Sequence, residues 1–115
     1  MLSRALPIHF ATEELALALR SDPALDVREI DGTLPKEELL NELVEALQLP
    51  EYFGHNWDAL EECLRDLESD RHVVLLVRDA APLWNVAPRV MGELVDVWLS
   101  ATADRGTPLD LVFVW

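Results

Sequence analysis

Cysteine occurs once, as Cys63, so no intramolecular disulfide can form, and no set of cysteines and histidines offers a structural zinc cage. That scarcity suits a reducing compartment. Cations are also few: 9 Lys and Arg face 22 Asp and Glu, and the resulting −13 repels nucleic acid and anionic membrane surfaces alike. The longest apolar run, Val73 to Val77, is far too short to span a bilayer. Met1 to Phe10 lacks the apolar stretch and small-residue cleavage site of a signal peptide. Neither a Gly-rich phosphate loop nor a nucleophile elbow is present. Without repeats, linkers or low-complexity tracts, the expectation is one cytoplasmic domain over residues 1–115 that binds neither membranes nor nucleic acid directly.

What is present suffices for one core, since 50% of the 115 residues are hydrophobic. Thr12 to Arg20 has a capping threonine, acids in its first turn and a terminal arginine, which predicts a short helix matched to its dipole. Asp26 to Asp31 reads as a brief strand closed by the Asp31-Gly32 turn. Leu39, Leu40, Leu43, Val44 and Leu47 recur at helical spacing behind Pro35 and predict a helix through Gln48, stopped by Pro50. Glu51 to Asn56 is a loop with Gly54 as its pivot. Trp57 to Glu68 predicts a second amphipathic helix, with Trp57, Leu60, Cys63, Leu64 and Leu67 on one face and Asp58, Glu61, Glu62, Arg65 and Asp66 on the other. His72 to Arg78 is a continuous β-branched and leucine run, the mark of a central strand covered on both faces. A helix opening at Ala87-Pro88 and capped near Arg105-Gly106, then a strand from Leu109 to Trp115, complete the pattern. Strands separated by helices of crossover length imply an α/β fold with a small parallel sheet.

The acidity is not evenly spread. Between Glu51 and Asp70 seven carboxylates meet one cation, Arg65, so this segment carries −6 and suits a basic partner. Tyr52, Phe53, His55 and Trp57 crowd around Gly54 beside it, the composition of a binding hot spot, although Phe53 and Trp57 equally suit the role of core anchors. Asp58 and Glu62 project side by side one helical turn apart. Like charges at that spacing cost a few tenths of a kcal/mol, which a cationic partner would offset and a solvated face would tolerate. His55, Asp58 and Glu62 could in principle act as base, orienter and acid, but they occupy a loop and a solvated face with no nucleophile placed for activation. Their spacing also matches no standard metal site. Cys63, on the apolar face, reads as a small buried hydrophobe. Neither enzyme activity, metal nor cofactor is expected.

The stretch Leu49-Pro50-Glu51-Tyr52-Phe53-Gly54-His55-Asn56-Trp57-Asp58-Ala59-Leu60-Glu61-Glu62-Cys63-Leu64 resembles the signature of the barstar-like ribonuclease inhibitors. There, an LPEY-aromatic-G-x-N-x-D-A-L core precedes an acidic residue and C-L. The likeness is ungapped here and extends more loosely from Val27 to Trp115, leaving Met1 to Leu25 as an N-terminal extension with its extra helical segment. It implies a three-stranded parallel sheet packed with helices, no cofactor, a monomer when free, and a one-to-one complex with a small secreted guanyl-preferring ribonuclease. Tyr52, Gly54, Asn56 and Asp58 fall on the family's contact loop and helix start. Glu62 falls on its dominant carboxylate, which stands in for an RNA phosphate among the enzyme's cations. Phe53, His55, Glu61, Arg65 and Asp66 complete the expected partner-binding set. Two departures point to a different target of the same kind. The family's reference inhibitor carries Asp at the position of Glu62 and Trp at that of Glu61, and Ala101-Thr102-Ala103 stand where its third large helix supplies a second acidic contact. A barstar-like module with a non-nuclease target and an immunity protein against a delivered toxin nuclease are the rival readings.

Overall fold

A computed structural model describes residues 6–50, 56–103 and 108–115. Among these, four strands form one sheet: β1 (Ile8–Ala11), β2 (Leu25–Asp31), β3 (His72–Arg78) and β4 (Leu109–Val114). Their order is β1-β4-β3-β2, and every neighbouring pair is parallel. Five helices cover it: α1 (Glu13–Arg20), α2 (Lys36–Leu47), α3 (Trp57–Asp66), α4 (Ala80–Val86) and α5 (Pro88–Thr102).

The expected three-stranded sheet is thus corrected to four strands. Ile8-His9-Phe10-Ala11 is too short to show an alternation of its own, and it becomes a strand because β4 lends it a ladder. Leu111 N–H donates to Pro7 C=O and Trp115 N–H to Ala11 C=O, both at 2.8 Å. The N-terminal segment is therefore a strand followed by a helix. α4 was also absent from the sequence pattern, since Pro82 interrupts its seven residues. Proline is nevertheless tolerated in a first turn, where its missing N–H has no helical partner. α3 ends at Asp66, two residues before the expected Glu68, because Leu67 turns extended at φ −63° and ψ 126°. The proposed cap at Arg105-Gly106 lies outside the described residues.

β3 is buried on both faces from Val73 to Val77, as its composition implies. The larger core packs α2, α3, α4 and α5 on one face of the sheet, with Leu43, Leu60, Leu75, Met91, Trp98 and Phe113 fully buried there. Trp98 adds a buried hydrogen bond from Nε1 to Leu109 C=O at 3.1 Å, which fixes α5 against β4. α1 covers the opposite face through Ala16 and Leu19 over Val74, Leu76 and Val112. On that face Asp110 is buried, and its two carboxylate oxygens meet His9 Nε2 at 3.0 Å and His72 Nε2, tying β1 and β3 to β4.

Candidate protein-binding site

α3 is set up locally by its first residues. The Asn56 side chain accepts from Ala59 N–H at 2.8 Å, a standard N-cap, and Asp58 follows in the first turn, where a negative charge complements the helix dipole. Asn56, which the family resemblance carries to the contact region, therefore shapes the helix that presents the carboxylates. Leu60 and Leu64 are fully buried, while Trp57, Cys63 and Leu67 are half-buried on the same side. Trp57 packs on the core as an anchor, with Lys36 Nζ lying 5.1 Å from its ring centroid.

The charged face divides in two. Glu61 pairs with Arg65 along the helix at 3.0 Å, and the Arg65 guanidinium also reaches Ser100 C=O on α5 at 3.5 Å. These two residues engage each other and a neighbouring helix. Asp58, Glu62 and Asp66 form a separate exposed stripe, spaced four residues apart and so about 6 Å apart along the axis. None of the three joins an ion pair among the described residues. Tyr52, Phe53, Gly54 and His55, the aromatic part of the expected site, lie outside the described residues, as does the His55 member of the base-orienter-acid trio.

Beside the stripe, α3 and the end of α2 enclose an open cleft of about 360 Å³. Glu62, Asp66 and Glu68 supply acid, Leu47, Leu49 and Leu67 supply apolar wall, and Arg28 reaches in from β2. The wall near α2 depends on Gln48, held in the left-handed region at φ 53° and ψ 50°, which ends the helix and turns the chain toward Leu49 and Pro50. Arg28 is held by Asp26 at 2.9 Å, and Asp26 also accepts from the Ser69 hydroxyl at 3.0 Å. Cys63 opens onto this cleft and is half-buried, less enclosed than its place on the apolar face implies. Burial, then Asp66 and Glu62, push its thiol upward, which keeps it protonated and a poor nucleophile. Sequence reasoning did not include Arg28, since only the sheet brings residue 28 beside residue 62.

Ala101 and Thr102 lie at the far end of α5. Ala101 is buried and the Thr102 hydroxyl donates back to Trp98 C=O at 2.7 Å. Neither residue offers a carboxylate to a partner.

Fold and face together define a class: a small, strongly acidic α/β domain that presents a carboxylate stripe and an adjoining cleft. Residues 25–114 match the family described as Barstar (barnase inhibitor), and the chain belongs to that family. β1 and α1 precede the matched residues. No curated protein matched the chain. Among solved structures, a chain of the structure described as Drosophila ORC bound to DNA is similar with TM-score 0.63 and 15% identity. That likeness covers 96% of this chain and 31% of the other, so this chain spans about a third of that chain's length and shares its fold alone. No helix among the described residues is long and apolar enough to cross a membrane.

Proposed function

We propose that the protein is a non-enzymatic inhibitor of a small, basic, secreted ribonuclease, which it plugs with α3 and the adjoining loop. The carrying observation is the exposed Asp58–Glu62–Asp66 stripe, which joins no ion pair among the described residues, on a helix inside the segment that matches the inhibitor family. Three carboxylates about 6 Å apart are close to the spacing of successive phosphates along an RNA strand, and a ribonuclease active site holds cations to receive them. Glu62 takes the central phosphate position. The cleft beside it accepts the apolar stem and charged head of an Arg or Lys from the enzyme. The complex is one-to-one, needs no cofactor and belongs in the cytoplasm, where it protects the producing cell.

Two observations favour a target unlike that of the family's reference inhibitor: Glu61 is engaged with Arg65, and Ala101 and Thr102 withhold the second acidic contact. A module for a non-nuclease target is the alternative they leave. Titrating the protein into several small basic microbial ribonucleases, with an RNA substrate and Glu62→Ala as control, decides between them. Inhibition saturating at one equivalent supports the proposal. Full enzyme activity at saturating protein, across the panel, refutes it.

A further inference from the structure

Edge strands expose unpaired backbone groups, and proteins usually guard them with charge. The two edges of this sheet are treated differently. β2 carries Asp26, Arg28, Glu29 and Asp31 in seven residues. β1 carries only His9, which turns to the buried Asp110. The carbonyls of Pro7 and Ala11 face β4, so by alternation the N–H and C=O groups of Ile8 and Phe10 point out of the sheet.

Large apolar side chains collect at that same edge. Phe10 and Trp115 are 59% and 58% exposed. Phe10 is the hub, with its ring centroid 5.8 Å from Trp84, 5.3 Å from Phe113 and 5.6 Å from Trp115. Trp84 Nε1 is enclosed and has no acceptor among the described residues. Scattered apolar residues need no explanation, but two exposed rings packed on each other beside a strand edge that is uncharged among the described residues leave an interaction patch open.

Charge selects the occupant. Residues 1–12, 80–92 and 111–115 contain no Asp or Glu, in a chain with 22 of them. A basic partner would be drawn to the acidic faces instead. A second copy, itself at −13, is repelled from every surface except an acid-free one. We propose that the β1 edge and its aromatic cluster form a self-association surface, through which two copies pair about a two-fold axis as antiparallel β1 strands in one eight-stranded sheet. Phe10 and Trp115 of each copy pack on the other. The carboxylate stripe and cleft remain open, because the cleft draws on Arg28 of β2 at the opposite edge. Dimer formation is independent of any ribonuclease target.

Sedimentation velocity on the whole chain over a wide concentration range tests this. The mass should rise from one chain to two with concentration, and added salt should favour the dimer by screening the repulsion between like-charged copies. Phe10→Glu and Trp115→Glu should each weaken it at least about tenfold, the scale of an interface hot spot, by placing a carboxylate in the contact. Trp115 lies outside the buried core, so its variant decides the matter should Phe10→Glu fold poorly. A single-chain mass up to millimolar concentration overturns the proposal. So does a dimer that Trp115→Glu leaves intact, or one that salt dissociates.

Discussion

Replacing Glu62 by glutamine separates binding from folding, because the two should move in opposite directions. Glu62 is exposed, joins no ion pair among the described residues, and has Asp58 and Asp66 as its neighbours four residues away on either side. Each like-charge pair at that spacing costs roughly 0.2–0.5 kcal/mol in a helix. Glu62→Gln keeps the shape and helix propensity while removing the central charge from both pairs, so the fold should gain about 0.4–1 kcal/mol. For a domain of this size that raises Tm by roughly 2–6 °C. The gain should shrink in high salt, since both pairs are solvent-screened. In the complex the same carboxylate is desolvated among the enzyme's cations, so its neutralisation should cost about 2–5 kcal/mol of affinity. Thermal melts at low and high salt, with calorimetric titration of the ribonuclease, measure both quantities. A variant that is less stable would show that Glu62 has an internal partner. A variant that is more stable yet binds equally well would mean that the stripe is only a solvated face.

Glu68→Gln, at the cleft rim beyond the end of α3, should cost under about 1 kcal/mol of affinity and act on the association rate, which stopped-flow mixing at several ionic strengths reads. The Arg28 guanidinium, opposed by burial and helped by the Ser69 hydroxyl, holds the Asp26 carboxyl below its ordinary 3.8. A depressed carboxylate stabilises the fold above that pH and loses its contribution as pH falls through the lowered value. Asp26→Asn should therefore cost about 1–3 kcal/mol at neutral pH, with the deficit shrinking below pH 3.8 in denaturant titrations at several pH values. Gly32 lies so close to Leu83 and Arg78 that a Cβ there would meet Leu83 Cδ1 and come within 2.8 Å of Arg78 C=O, so Gly32→Ala should cost about 1–3 kcal/mol by thermal melting. Asp110→Ala removes the acceptor shared by His9 and His72 and should cost a similar 1–3 kcal/mol, approximately, with amide exchange rising first in β1.

Patterns confined to one element were legible along the chain. The apolar stripe of α2, the acid-faced α3, and the uninterrupted run of β3 each answer to a local rule of spacing, and the structure shows all three. So did the stripe itself, because residues 58, 62 and 66 face the same way whenever that segment is helical. β1 could not be read in this way: four residues hold as a strand only because β4 offers them its outer ladder. α4 was hidden by Pro82, whose effect depends on whether it falls in the first turn or later. The cleft was decided entirely by tertiary structure, since it needs Arg28 from β2, the left-handed turn at Gln48 and the outer face of α3 to meet. Glu61 and Arg65 stand one helical turn apart and pair within α3, while the reach of Arg65 to Ser100 C=O exists only because α5 packs beside α3. Local periodicity determines which residues share a face, because a helix or strand imposes its own repeat. Only the closed fold determines which faces meet and which charges are left facing outward, because contacts between residues distant in the chain carry no signal in its local spacing.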